Sequence, residues 1–195
     1  MSAGYVSAQH DRMLAGVVKD CYVVAVDLSA SPPVCRVSDG EWVSGWVRWH
    51  SVAAGKARHW RAPSLNEQGT LISASGDVAQ GTFIPGLYGN GGPPPDNRDH
   101  VEVWRFDDGG SLVYDWQAKS YTISLPSGTV MIKVGATQAE VTDNAVTVKS
   151  STINLEAAVN IKGAVNIDGP LHATQDIRSD GAIIDTTGNT PNHKH

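Results

Sequence analysis

Residues 121–171 read YTISLPSGTVMIKVGATQAEVTDNAVTVKSSTINLEAAVNIKGAVNIDGPL. Aliphatic residues at alternate positions recur along this stretch as Ile123/Leu125, Val130/Ile132, Val146/Val148, Ile153/Leu155, Val159/Ile161 and Val165/Ile167. Alternation within each pair is the period of a β-strand with one buried face. The return interval is about 6 to 8 residues, the spacing of one strand plus one corner. It tightens toward the C-terminal side, where Asn160-Ile-Lys-Gly-Ala-Val165 is followed by its near copy Asn166-Ile-Asp-Gly-Pro-Leu171. Gly128, Gly135, Gly163 and Gly169 fall between the pairs, where the chain must turn.

A ladder of such short strands needs neighbours above and below each rung. Burial by one chain does not cover the backbone entropy of ordering about 50 residues at roughly 1–2 kcal/mol each. A lone ribbon also exposes two hydrogen-bonding edges. Three chains wound about one axis answer both problems: each strand pairs with strands of the other two, and the aliphatic side chains fill a triangular core. About eight strands spaced by ~4.8 Å make a needle about 40 Å long. The alternative is a β-solenoid built by a single chain.

Working outward, the remainder bounds the problem. The chain has 195 residues, 41% of them hydrophobic, which allows one or two domains. A net charge of −5 argues against a nucleic-acid partner, which favours a basic face. Two cysteines, Cys21 and Cys35, do not make a disulfide framework and are expected as a buried reduced pair on neighbouring strands. No apolar run reaches the ~18 residues of a membrane helix, and no signal-peptide pattern opens the chain. Synthesis and assembly in a cytoplasm are the expectation.

Residues 1–13 are polar and without periodicity, and are read as an N-terminal arm, loosely ordered or a short helix. Residues 14–89 carry five short strand patterns, with a long irregular excursion between Trp49 and Thr70. That fits a small closed barrel of the OB type, with little helix. Residues 90–99, which include Gly91-Gly-Pro-Pro-Pro95, are a linker. Residues 100–175 begin with a hairpin, His100–Phe106 and Ser111–Trp116 around Asp107-Asp-Gly-Gly110, and continue into the repeat. Residues 176–195 form the apex, closing on His193-Lys194-His195.

His193 and His195 lie two residues apart, so on an extended strand they point to one side. Three copies meeting on an axis would bring six imidazole nitrogens to one point. Six nitrogens suit octahedral coordination rather than the tetrahedral habit of structural zinc, leaving iron, nickel or copper. In an isolated chain the same pair would be a solvated tail.

Four features in order along the chain resemble the contractile-tail spike family, the phage baseplate assembly protein V group. They are the Trp-rich strand with Ala54–Ser64 after it, the segment Phe83–Tyr88, the hairpin Arg105–Tyr114, and the terminal His193-Lys-His195. The resemblance implies an all-β chain: an N-terminal OB-fold barrel, then a C-terminal intertwined triple-stranded β-helix with a pointed apex. It implies a homotrimer holding one iron ion per trimer through His193 and His195. It also implies a non-enzymatic spike in the baseplate of a phage tail or a phage-tail-like bacteriocin. Its partners would be the baseplate hub and tail tube proteins, and the outer membrane of the target cell, pierced on sheath contraction.

Two other readings stand beside this one. Trp42, Trp46, Trp49 and Trp60 near Arg48, Arg58 and Arg61 are the aromatic and basic mix of an OB-fold nucleic-acid binder, although the same tryptophans can fill the barrel and its contacts. The two hexads from Asn160 to Leu171 invite a trimeric hexapeptide-repeat acyltransferase, but such an enzyme needs many consecutive hexads.

Overall fold

The computed structural model describes residues 3–184. Among the described residues one helix, α1 (Ala3–Val17), precedes eleven strands, and the chain divides into two compact units, Met1–Thr129 and Val130–His195.

The barrel uses β1 (Val18–Asp27), β2 (Val34–Ser38), β3 (Arg48–Trp49), β4 (Gln68–Ile72) and β5 (Thr82–Leu87). The sheet order is β2-β1-β4-β5-β3, antiparallel except for the parallel β3–β5 pair. Closure comes from Cys35 and Val47, which exchange backbone hydrogen bonds of 2.8 and 2.9 Å and so join β2 to the residue before β3. The sheet therefore has no free edge at this point, which is how a small barrel avoids an aggregation-prone border.

Alternate residues point inward: Cys21 and Val23 from β1, Cys35 and Val37 from β2, Leu71 from β4 and Phe83 from β5, joined by Val47. Burial pushes both thiols up to about 11, and neither is oxidised. The cysteines are thus small core hydrophobes on paired strands, as their positions in the sequence predict.

Of the two readings of residues 1–13, the helix is the one found: α1 runs on to Val17, past the expected domain start at Leu14, and the first strand begins at Val18. It lacks an apolar stripe because it barely packs: from Ser7 to Ala15 every residue is exposed, and burial begins at Gly16. Its last turn rests on the loop after β4. A side chain at Gly16 would strike the Gly76 backbone, and one at Gly76 would strike Met13.

A three-stranded antiparallel meander follows: β6 (Val101–Arg105), β7 (Ser111–Asp115) and β8 (Ser120–Ser124). The linker ahead of it is pinned at both ends. Gly89 and Gly92 exchange hydrogen bonds of 3.2 and 3.1 Å, and Arg98 bridges Asp96 (2.9 Å) and Asp115 (3.1 Å). Asp115 also accepts the N–H groups of Ala118 and Gln117, closing the β7–β8 turn. These donors, the Ala118 N–H foremost, hold its carboxyl below the usual range.

The second unit contains β9 (Thr129–Val134), β10 (Thr137–Thr142) and β11 (Val146–Lys149) in the order β11-β10-β9. From Ser150 to Ile184 the chain forms no strand with itself. A single-chain solenoid would show pairing between successive coils here.

Candidate functional site

The part of the molecule poised to act is its unpartnered apolar surface, found on the meander and, separately, on the second unit. On the meander, strand register gathers one class of side chain on one face. Glu102 faces Tyr114, Trp104 faces Leu112, and these face Tyr121 and Ile123 on β8. The opposite face carries Val101, Val103, Ser111, Val113, Thr122 and other smaller residues. Trp104, Tyr114, Tyr121 and Ile123 are all exposed, and the three aromatic residues, with Leu112 and Glu102, surround an open cavity of about 320 Å³. The rings are held rather than loose. Trp104 Nε1 donates to Glu102 Oε1 at 3.1 Å, His59 meets Trp104 edge-on at 6.1 Å, and Tyr114 and Tyr121 lie 6.3 Å apart.

Sequence reading placed Ile123 on the first rung of the needle. The structure gives it to the meander, because β8 pairs with β7 over Ser120–Ser124. The aromatic face was missed for the same reason. Its signal was present in the alternation Glu102-x-Trp104, Leu112-x-Tyr114 and Tyr121-x-Ile123.

In the second unit the exposure is more extreme. Ile153, Leu155, Val159, Ile161, Val165, Ile167, Leu171, Ile177, Ile183 and Ile184 range from 53% exposed at Ile167 to 81% at Ile184. Scattered surface aliphatics are ordinary, but an unbroken series marks an interaction surface. Among the described residues the backbone alongside has no ladder partner, and unpaired strand groups template the addition of another strand. Gly163 and Gly169 hold φ angles of +149° and +143°, which a side chain would strain. The two hexads therefore share one backbone course, with a bend at the same position.

The proposed ligands His193 and His195 lie outside the described residues. Among the described residues no group of three His, Cys, Asp or Glu could hold a metal ion. Three other histidines have local partners: His50 with Thr82 (2.9 Å), His59 with Trp104, and His100 with Asp99 (3.1 Å).

Several tryptophans and arginines of the barrel are engaged with one another or with acids. Trp42 donates to Asp39 and lies under Lys19, whose ammonium is 4.9 Å from the ring centre. Asp39 is held down to about 2, chiefly by the Glu41 N–H. Trp46 lies 5.8 Å from the Arg36 guanidinium, and Trp49 packs 5.7 Å from Trp60. Arg61 forms a two-pronged pair with Glu67 (2.8 and 2.5 Å). Burial raises the Glu67 pKa, but Arg61 and the Ser64 N–H outweigh it, and the group stays below its ordinary value.

Residues 19–88 match the family model for the type VI secretion system/phage-baseplate injector OB domain. Residues 102–178 match the model for the Gp138 β-helical trimerization domain. The chain is also similar to the spike protein of Escherichia phage P2, at 30% identity over 142 residues. That alignment covers 72% of this chain and 65% of the phage protein's length.

Proposed function

The chain belongs to the contractile-tail spike family of phage baseplates, and from that premise we propose that three copies form a rigid needle that pierces the outer membrane of a target bacterium. The observation that carries this reading is the aliphatic series from Ile153 to Ile184, exposed along a backbone with no strand partner among the described residues. Three copies would supply both the missing ladder and the missing core. Residues 14–89 serve as the adaptor toward the baseplate hub and tail tube, 90–99 as linker, 100–175 as shaft and 176–195 as apex. Sheath contraction supplies the force; the spike supplies stiffness and a narrow end. Such a component sits at the distal end of a phage tail or a phage-tail-like bacteriocin, and assembles in the host cytoplasm.

At the apex, His193 and His195 of each chain would hold one iron ion per trimer. Six neutral imidazoles are a donor set that fits octahedral iron. Bound there, the ion supplies a cross-link among three strand ends, which would otherwise fray.

Metal analysis of the purified oligomer tests the apex. One iron per three chains is expected. Replacing both residues (His193→Ala, His195→Ala) should remove the iron and leave the oligomer intact, since the aliphatic core drives association. Iron retained by the double variant would contradict the assignment, and dissociation of that variant would show that the metal rather than the core holds the chains together.

A further inference from the structure

The hexad seen at Asn160–Val165 and Asn166–Leu171 extends one step earlier, to Asn154-Leu-Glu-Ala-Ala-Val159. Across all three, the odd-numbered residues from Ile153 to Leu171 are aliphatic, alanine or glycine. The even-numbered ones are Asn154, Glu156, Ala158, Asn160, Lys162, Ala164, Asn166, Asp168 and Pro170. Extended chain sends these two sets to opposite sides. The third position of each hexad is charged, and the sign alternates: Glu156, Lys162, Asp168. The positions before and after in the same frame, Ser150 and Thr174, are uncharged. All three charged residues are exposed, and among the described residues none has an ion-pair partner in its own chain.

We propose that Glu156, Lys162 and Asp168 form an ion ladder between copies of this chain that fixes their register in the trimer. This rests on the trimeric reading of the same strands. In a threefold prism each hexad crosses one face, and the glycine bend at Gly163 or Gly169 turns the chain onto the next. Each face is then filled from three chains in turn. One copy contributes a hexad, its neighbour contributes the following hexad one strand spacing (~4.8 Å) along, and the third copy the one after. Glu156 of one copy thus lies beside Lys162 of the next, and that Lys162 beside Asp168 of the third.

The charge pattern selects this register against its neighbours. Stacking identical hexads would set Lys162 on Lys162 and Glu156 on Glu156. A slip by one further hexad would set Glu156 on Asp168. Like charges directly opposite destabilise a ladder, so only the offset of one hexad is attractive along its length. Asn154, Asn160 and Asn166 occupy one further column on the same side, where stacked amides can hydrogen-bond along the axis.

Cysteines placed in the full chain read the register directly. Strands one spacing apart put α-carbons within the 4.4–6.8 Å a disulfide spans. Glu156→Cys with Lys162→Cys should, on mild oxidation, close a ring of three bonds and run as a covalent trimer on a non-reducing denaturing gel. Glu156→Cys alone should give no cross-link, since its copies lie on different faces. Wild type, with Cys21 and Cys35 buried, is the blank. Covalent dimers from the single variant, or an oligomer of the double variant that does not cross-link, would overturn the ladder. A monomeric wild type would instead overturn the trimer reading beneath it. If the double variant fails to assemble, charge reversal decides. Lys162→Glu should dissociate at a lower temperature than wild type in low salt, and adding Glu156→Lys and Asp168→Lys should restore it. Indistinguishable midpoints for all three proteins would refute the proposal.

Discussion

Val37 and Ile161 both sit in alternating sequence, Cys-Arg-Val-Ser in one case and Asn-Ile-Lys-Gly in the other. Val37 is fully buried, whereas Ile161 is 64% exposed. The difference lies in how far each segment must reach for its partner. Val37 finds Val23 across a hairpin and Leu71 within the same barrel, and the Cys35–Val47 bonds close the circle. On the trimeric reading, the neighbours of Ile161 in its own chain belong to the next face of a prism. A barrel is a sheet that closes on itself, while a needle of single strands closes only with copies. One chain therefore holds a self-sufficient part and a part completed by association.

The sharpest way to break this contrast is to put charge in each part. Val159→Asp with Ile161→Asp would bury up to six unpaired carboxylates per trimer, each costing several kcal/mol. The expected result is loss of the trimer with the barrel still folded, read as a fall in molar mass with unchanged near-ultraviolet signal from the barrel tryptophans. A trimer surviving the double substitution would mean these residues do not face its core.

The complementary change acts on the barrel. Phe83→Ala removes a fully buried ring and should cost about 3–5 kcal/mol. Calorimetry should show the barrel transition moving to lower temperature, with the association transition unmoved. Coupled shifts of both would contradict the independence of the two parts.

The smallest effect concerns pH. Cys21 and Cys35 are raised by burial from about 9 to about 11. A raised folded-state pKa means the folded barrel favours the neutral thiol. The associated stability is full below pH 9 and is lost as pH rises toward 11. The barrel melting temperature should hold between pH 7 and 9, then fall between 9 and 11. Both thiols should resist a thiol reagent over the lower range. Rapid labelling at pH 8 would show the core to be open.

Much of this organisation was legible from local pattern. The five barrel strands, the Asp107–Gly110 hairpin, the paired cysteines and the repeat all carry alternation or turn signals that act over a few residues. What was not legible depended on packing. Helix α1 has no stripe to read because its residues from Ser7 to Ala15 stay exposed. The segment Trp42–Trp49 alternates like a strand, yet only Arg48–Trp49 form one. Trp42 and Trp46 are instead drawn to Asp39 and Arg36, and Val43 and Val47 pair as isolated bridges. The aromatic face of the meander was hidden because Tyr121 and Ile123 fit the needle's period as well as that of β8. The apex residues His193 and His195 stay an inference from spacing and family.

The central claim is that the C-terminal strands are completed by two further copies. Light scattering on the purified full chain, coupled to size exclusion, measures this directly. Three times the 20.7 kDa of one chain, about 62 kDa, is the expected mass, unchanged on dilution. A species of 20.7 kDa with the same β-strand content would contradict it.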